Sequence, residues 1–320
     1  MNIQKHTIQN KYLKVSTLNI GASLFEIFFK PKRNNLILNL GNKNNYKKKH
    51  QFIGSTCGRY ANRIANASFI INKKKYKISK NEKKNTLHGG KNGFDKKIWT
   101  VLNYSKDKIV YELISKDKDQ GFPGKLNVRC QYKIKKNNLI CKFIYSSDKY
   151  THTNLTNHCY WNLNKNKKIN ILNHYLKINS NSYLPVDINM IPIGKIKSVK
   201  NTDFDFRKLS SLEKKILNRN KGFDINFVTG KKNNHLVATL VNKYQNIKVV
   251  LRSNQPGVQF YTGHKLSPSK NPRKFYPFQG LCLETQHFPN SPNEKNFPST
   301  LVIPNKKYVM ITSYEFKLNK

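Results

Sequence analysis

Residues 126–147, LNVRCQYKIKKNNLICKFIYSS, decide the fold class. Leu126, Val128, Cys130, Tyr132 and Ile134 alternate with polar or charged neighbours, and Leu139, Cys141, Phe143 and Tyr145 alternate back. Successive side chains leave a strand on opposite faces, so a period of two marks a strand with one buried face. Two such runs joined across Lys135 to Asn138 predict an antiparallel hairpin. Cys130 and Cys141 fall on its apolar face and read as reduced core thiols.

The same period governs the chain outward from this hairpin. Residues 13–30 predict two strands broken at Gly21, residues 69–78 a hairpin about an Asn/Lys turn, and residues 235–253 another hairpin. GVQFYTG (257–263), GLCLET (280–285) and a pair of strands inside 300–318 follow. Only SSLEKKILN (210–218) has helical character, with Ser210 or Ser211 as its cap. Many strands without alternating helices predict an all-β sandwich or barrel. No internal repeat or Pro/Gly/Ser-rich linker divides the chain, so residues 1–320 are expected to form a single domain. Long loops are expected at 79–97, 185–208 and 286–299, a length typical of binding loops.

A formal charge of +44, from 60 Lys and Arg against 16 Asp and Glu, points at first to nucleic acid or an anionic surface. The excess is mostly Lys, whereas Arg is the specialist in bidentate phosphate and base contacts. It is spread along the whole length and mixed with Asn and Ile, three residue types with A/T-rich codons. The expectation is therefore nonspecific polyanion attraction, with no specific nucleic-acid partner. With so few acids, those inside apolar or glycine-marked motifs stand out: Glu284, Asp224, Asp95, Asp187 and Asp205. Five cysteines, odd in number and without CxxC spacing, suggest neither a disulfide framework nor a zinc cluster. The N-terminus lacks an apolar signal core and no run reaches membrane-spanning length, so a soluble cytoplasmic protein with no membrane partner is expected.

Several segments carry more functional groups than a scaffold requires. GLCLETQHFPNSPNEKNFPS (280–299) sets Glu284 among apolar neighbours. Burying that ion is costly unless it is paired, yet acid/base sites accept the cost because it tunes the carboxylate. The alternative is a carboxylate that ties a loop to a Lys or Arg. GRYANRIANASF (58–69) offers Arg59, Asn62 and Arg63, where either arginine could be solvated or could clamp hydroxyls or an anion. His88 precedes two glycines, which suggests an imidazole on a tight turn. His158 in TNLTNHCYWNL is flanked by Asn157, Cys159, Tyr160 and Trp161, a mixture of aromatic faces and polar donors that suits a sugar ring. Asp224 and Gln259 sit among aromatics in GFDINF and QPGVQFYTG. His88, His158 and a carboxylate could together bind metal, but no HExxH or close His pair occurs, and no metal is expected. Neither GxGxxG nor GxxxxGK occurs to cradle a phosphate. Glu284 with Asp224 could also form a glycosidase pair.

In this order, NIGASL, GRYANRIANASF, NTLHGGKNGFDKKIW, NLTNHCYWNL, LPVDINMIPIGKI, TDFDFR, GFDINF, PGVQFYTG and CLETQHFPNSPNEKNFPS resemble the aldose 1-epimerase (galactose mutarotase) family. The resemblance covers most of the chain and implies a β-supersandwich. It also implies cofactor-free interconversion of the α and β anomers of free aldohexoses such as glucose and galactose. Carried over at matching positions, Glu284 corresponds to the general base and His158 to the general acid. Asn62, Arg63, His88, Asp224 and Gln259 correspond to sugar-binding or supporting positions. Ile225, Trp161, His264 and Ala67 depart from the family pattern, which bears on sugar preference and turnover. A hexose-6-phosphate 1-epimerase or a non-catalytic sugar binder on the same fold are the alternatives, and a monomer or homodimer is expected.

Overall fold

The computed structural model describes residues 2–230 and 233–319. The hairpin forms as its alternation predicts: Leu126–Lys135 pairs with Asn138–Ser147, from Leu126 opposite Ser147 to Lys135 opposite Asn138. It lies within a nine-stranded sheet. In spatial order the strands are Thr100–Tyr104, Lys108–Ser115, Leu126–Lys135, Asn138–Ser147, Tyr308–Leu318, Ile247–Ser253, His235–Asn242, Tyr175–Ile178 and Ser210–Ser211. Every neighbouring pair is antiparallel.

A sheet with one apolar face must bury it against another layer. Here two smaller sheets supply the cover. One has five strands, Lys197–Ser198, Ser182–Leu184, Asp224–Val228, Gly257–Tyr261 and Cys282–Gln286. The other has four, beginning with Lys5–Gln9, Leu13–Leu18 and Ser23–Phe29. Val128, Cys130, Tyr132 and Phe316 from the large sheet meet Ile225, Phe227, Phe260 and Leu283 from the five-stranded sheet and Val15, Leu24 and Ile27 from the four-stranded one. Each such side chain contributes about 1.5–3 kcal/mol by leaving water. The architecture is all-β, as expected, with Leu212–Arg219 the one α-helix among the described residues.

Several elements differ from expectation. The helix starts two residues late because Ser211 is its cap, with Oγ accepting from the Lys214 amide at 3.4 Å, while Ser210 and Ser211 pair with Leu176 and Tyr175 as an edge strand. The two strands inside 300–318 do not pair with each other. Leu301–Val302 joins Thr151–His152, while Tyr308–Leu318 runs through the large sheet between Asn138–Ser147 and Ile247–Ser253. The hairpin of residues 235–253 forms with a bulge between Leu236 and Ala238. Among the four departures from the family pattern, Ile225 and Trp161 belong to the core. Ala67 is left-handed with φ 46°, a conformation costing about 1–2 kcal/mol for a residue with a Cβ.

Candidate active site

The five-stranded sheet sets out the polar groups in rows. Gln259 is opposite both Asn226 and Glu284, and Tyr261 is opposite both Asp224 and Cys282. A strand alternates faces, so all six side chains lie on one face, while Ile225, Phe227, Val258, Phe260 and Leu283 project into the core on the other. The motif GFDINF thus encodes both surfaces at once. Gln259 Nε2 donates to Asp224 Oδ1 at 2.7 Å, fixing the diagonal between the rows.

The opposite wall comes from the loops around residues 52–63 and 85–90 and from the strand leading to Trp161. Arg63 pairs with Leu87 in a two-residue ladder, which brings the His88 turn beside the arginine. The Asn62 amide donates to His88 Nδ1 at 3.1 Å and the His88 amide donates to the Asn62 carbonyl at 3.0 Å, so one backbone unit holds both ring and turn. His88 is left-handed with φ 50°. The next residue must be glycine: Gly89 has φ +88°, and a Cβ there would lie 1.9 Å from the Gly58 carbonyl oxygen. His158 projects into the cleft with Tyr160, while Cys159 and Trp161 on the alternate face join the core. Trp161 therefore offers nothing to a ligand; it packs at 4.9 Å from Tyr314.

The loop after Glu284 locks the two walls together. Asn154 and His287 exchange two hydrogen bonds, the Asn290 amide donates to the Arg63 carbonyl at 2.8 Å, and Asn290 Oδ1 accepts from the Ala65 amide at 2.9 Å. The result is a cleft of about 260 Å³ lined by Glu284, His158, His88, Arg63, Asn62, Asp224 and Gln259. Every residue expected at the site on the strength of the resemblance is there.

Other expectations are corrected. Arg59 is not a ligand clamp: its guanidinium is buried and donates to the carbonyls of Ser115, Lys116, Pro123 and Gly124 and to Ser115 Oγ. Asp187 caps a turn through the amides of Asn189 and Ile191, and Asp205 forks the exposed Arg207. Asp95 is buried away from the cleft, and burial raises its carboxyl to about 6. His264 meets Tyr261 edge-on at 5.3 Å and lines a neighbouring cavity shared with Asp224 and Lys265, not the small cleft itself. Sequence reasoning missed Phe52, Glu82, Tyr261, Lys265 and Lys270, all of which line the cleft. Phe52, Glu82, Lys265 and Lys270 lie on loops or a short turn with no alternation to mark them, while Tyr261 ends the strand Gly257–Tyr261 two residues after Gln259.

The chemistry centres on one contact. His158 Nε2 lies 3.6 Å from Glu284 Oε1, both side chains almost fully buried. This is beyond hydrogen-bond length and leaves a gap that a ligand atom can bridge. Phe52 packs at 5.7 Å from His158 and 4.6 Å from His88, and Tyr160 covers His158 at 5.0 Å. In that setting burial lowers His158 to about 4. Burial, helped by the Asp224 charge, raises the Glu284 carboxyl well above its usual range, while Arg63 opposes the rise. His88 is pushed far down by burial and by the neighbouring His158 and Arg63. Burial of both groups thus works against a resting ion pair between His158 and Glu284.

His88, His158 and Glu284 have ligand-type atoms within 4.8 Å of one another, the geometry of a metal trio. The Asn62 amide occupies His88 Nδ1, so the neutral ring carries its hydrogen on Nε2. That hydrogen makes His88 a hydrogen-bond donor toward the cleft and not a metal ligand. The set suits proton transfer between oxygens of a small hydroxylated ligand.

Comparison with known proteins identifies the family. A family model described as aldose 1-epimerase matches residues 4–315. The galactose mutarotase of Homo sapiens is 34% identical over 324 residues, covering 99% of this chain and 94% of that protein. The aldose 1-epimerase of Haemophilus influenzae is 36% identical over 284 residues, covering 85% of this chain and 83% of its own. Among solved structures, an aldose epimerase homologue from C. elegans superposes with a TM-score of 0.93 at 26% identity, each chain covered over 100% of its length.

Proposed function

As a member of the aldose 1-epimerase family, and so an isomerase that interconverts aldose anomers, the protein works, we propose, through Glu284 as general base and His158 as general acid. Glu284 takes the proton of O1 while His158 gives its proton to the ring oxygen. The C1–O5 bond breaks as C1=O1 forms, leaving a protonated Glu284, a neutral His158 and the open-chain aldehyde. Rotation about C1–C2 presents the other face of the carbonyl. Closure reverses the transfers: Glu284 returns a proton to O1 and His158 removes one from the attacking hydroxyl. One proton circulates and no electrons leave the substrate, so the chain's own residues supply every step.

The observation that carries this reading is the buried His158–Glu284 pair at 3.6 Å. Burial favours the uncharged form, protonated Glu284 with neutral His158, which is also the form left by ring opening. The charged form needed for opening holds the same number of protons, so binding has only to move one between the two groups. The reaction needs modest help, because hemiacetals already open slowly in water, and acid/base groups typically contribute about 10²–10⁴ in rate. Arg63, His88 through Nε2, and Asn62 donate to ring hydroxyls, while Asp224, oriented by Gln259, accepts from them.

The substrates in this reading are free glucose and galactose. The single core shared by the three largest sheets supports reading residues 1–320 as one catalytic domain. The five cysteines are free and buried, in keeping with a reducing, cytoplasmic setting. No helix among the described residues is long and apolar enough to cross a membrane. The protein acts as a monomer or homodimer without a specific nucleic-acid partner. The test is the mutarotation rate on galactose, glucose and glucose 6-phosphate. Faster decay for the two free sugars is expected, and selective acceleration of the phosphate ester would overturn the substrate assignment.

A further inference from the structure

Arg63 reaches the cleft with one edge of its guanidinium already taken. Nε lies 2.6 Å from Glu82 Oε2 and Nη2 lies 2.9 Å from Glu82 Oε1, a bidentate fork that leaves Nη1 and one Nη2 hydrogen for other acceptors. Glu82 is the rigid partner of this fork. Its backbone exchanges hydrogen bonds with Asn85 at 3.2 and 2.9 Å, and Asn81 clamps Leu87 through both its amide groups. The loop that ends in His88 is thereby tied to the Arg63 side chain as well as to the Asn62 backbone. Glu82 itself lines the same cleft as Glu284.

We propose that Glu82 is a positioning residue for the reaction: it aims Arg63 at the substrate and offsets the positive charge Arg63 presents to Glu284. The inference rests on the reading of Glu284 as the base. A lone guanidinium on a flexible stem can take many rotamers, while one held by two parallel bonds presents its free hydrogens in a fixed direction. An uncompensated cation beside Glu284 would also weaken the base by favouring its carboxylate. The other charged groups on the cleft wall are Asp224, Lys265 and Lys270, with His88 and His158 held neutral by burial. Burial keeps the Cys57, Cys282, Tyr160 and Tyr261 groups around Glu284 protonated. Glu82 is the acid that touches Arg63, and its removal changes the field at Glu284 in one direction only.

Glu82→Gln keeps the shape and removes the charge; Glu82→Asp keeps the charge and shortens the fork. The expected results separate the two effects. In Glu82→Gln, kcat/KM falls about tenfold or more, and the Glu284 carboxyl, followed by carbon-13 NMR and assigned by its loss in Glu284→Gln, titrates about half a unit or more lower. In Glu82→Asp the titration stays near wild type while kcat/KM still falls. Combining Glu82→Gln with Arg63→Lys costs little beyond Arg63→Lys alone. An unmoved Glu284 titration, or losses that multiply independently of Arg63, would overturn the proposal. Full activity in Glu284→Gln would instead overturn the base assignment and leave the Arg63 coupling measurable on its own.

Discussion

Replacing Glu284 by Gln removes one proton acceptor and almost nothing else. The residue is 2% exposed, Oε2 has no protein hydrogen bond, and burial raises the carboxyl well above its usual range, so an isosteric neutral amide fits the same space. Folding stability should hold, with Tm within about 2 °C of wild type, because no paired charge is broken. The loss of the base should lower kcat by about 10²–10⁴. Because Glu284 and His158 pass one proton between them across 3.6 Å, they act as a unit. His158→Asn should then cost nearly as much as Glu284→Gln, and the double variant little more than either. Polarimetry of freshly dissolved α-D-galactose, with the buffer rate subtracted, reads all three. More than a tenth of wild-type activity in a folded Glu284→Gln protein, or losses that multiply in the double variant, would refute the shared-proton mechanism.

Other consequences follow from the same contacts. Burial lowers His158 to about 4, so kcat/KM should fall on the acid side only as pH approaches 4; an acid limb near pH 6.5 in the rate profile would contradict the burial of His158. Stability has its own pH dependence. His50, His152, His158 and His287 are lowered by burial to about 4 and His174 to about 3, so the stability of these folded imidazoles is full above their unfolded value near 6.5 and is lost as pH falls toward 4. Asp95, raised to about 6, and Glu284 work in the opposite sense, because the folded protein already holds their protons. With His88 also held neutral by burial, imidazoles outnumber carboxyls in this balance, so stability should rise with pH between 4.5 and 6.5. Urea melts between pH 4.5 and 6.5 measure it, and a flat profile would contradict it. Arg59→Met strands four backbone carbonyls in the interior and should cost about 3–5 kcal/mol by thermal or urea melts, with KM unchanged in the folded fraction.

The sheets were legible where alternation was clean. Leu126 to Tyr145 fixed both strands and their turn, because every second residue had to be buried. The same rule explains why Asp224, Gln259 and Glu284 share a face, although the sequence does not show that their strands are neighbours. Strands such as Lys108–Ser115 carry no clean alternation, since Val110 and Ile114 put apolar side chains on the outer face as well as the buried one. The expected site residues were found through the order of the motifs, not through periodicity. Arg59 and Arg63 look alike in GRYANRIAN, yet one is consumed by carbonyls and the other reaches the cleft. That difference depends on which loops pack beside each guanidinium, and no local signal in the chain carries it. Glu82 went unnoticed for the same reason: its partner is 19 residues away and is set by the Arg63–Leu87 ladder.

The most direct test of the central claim is anomer exchange measured at equilibrium. Exchange NMR on galactose labelled with carbon-13 at C1, recorded in D₂O, reports the rate of passage between α and β forms. An exchange rate that rises linearly with protein concentration, without deuterium appearing at C1 or C2, is the predicted result. Exchange no faster than the protein-free sample would contradict it.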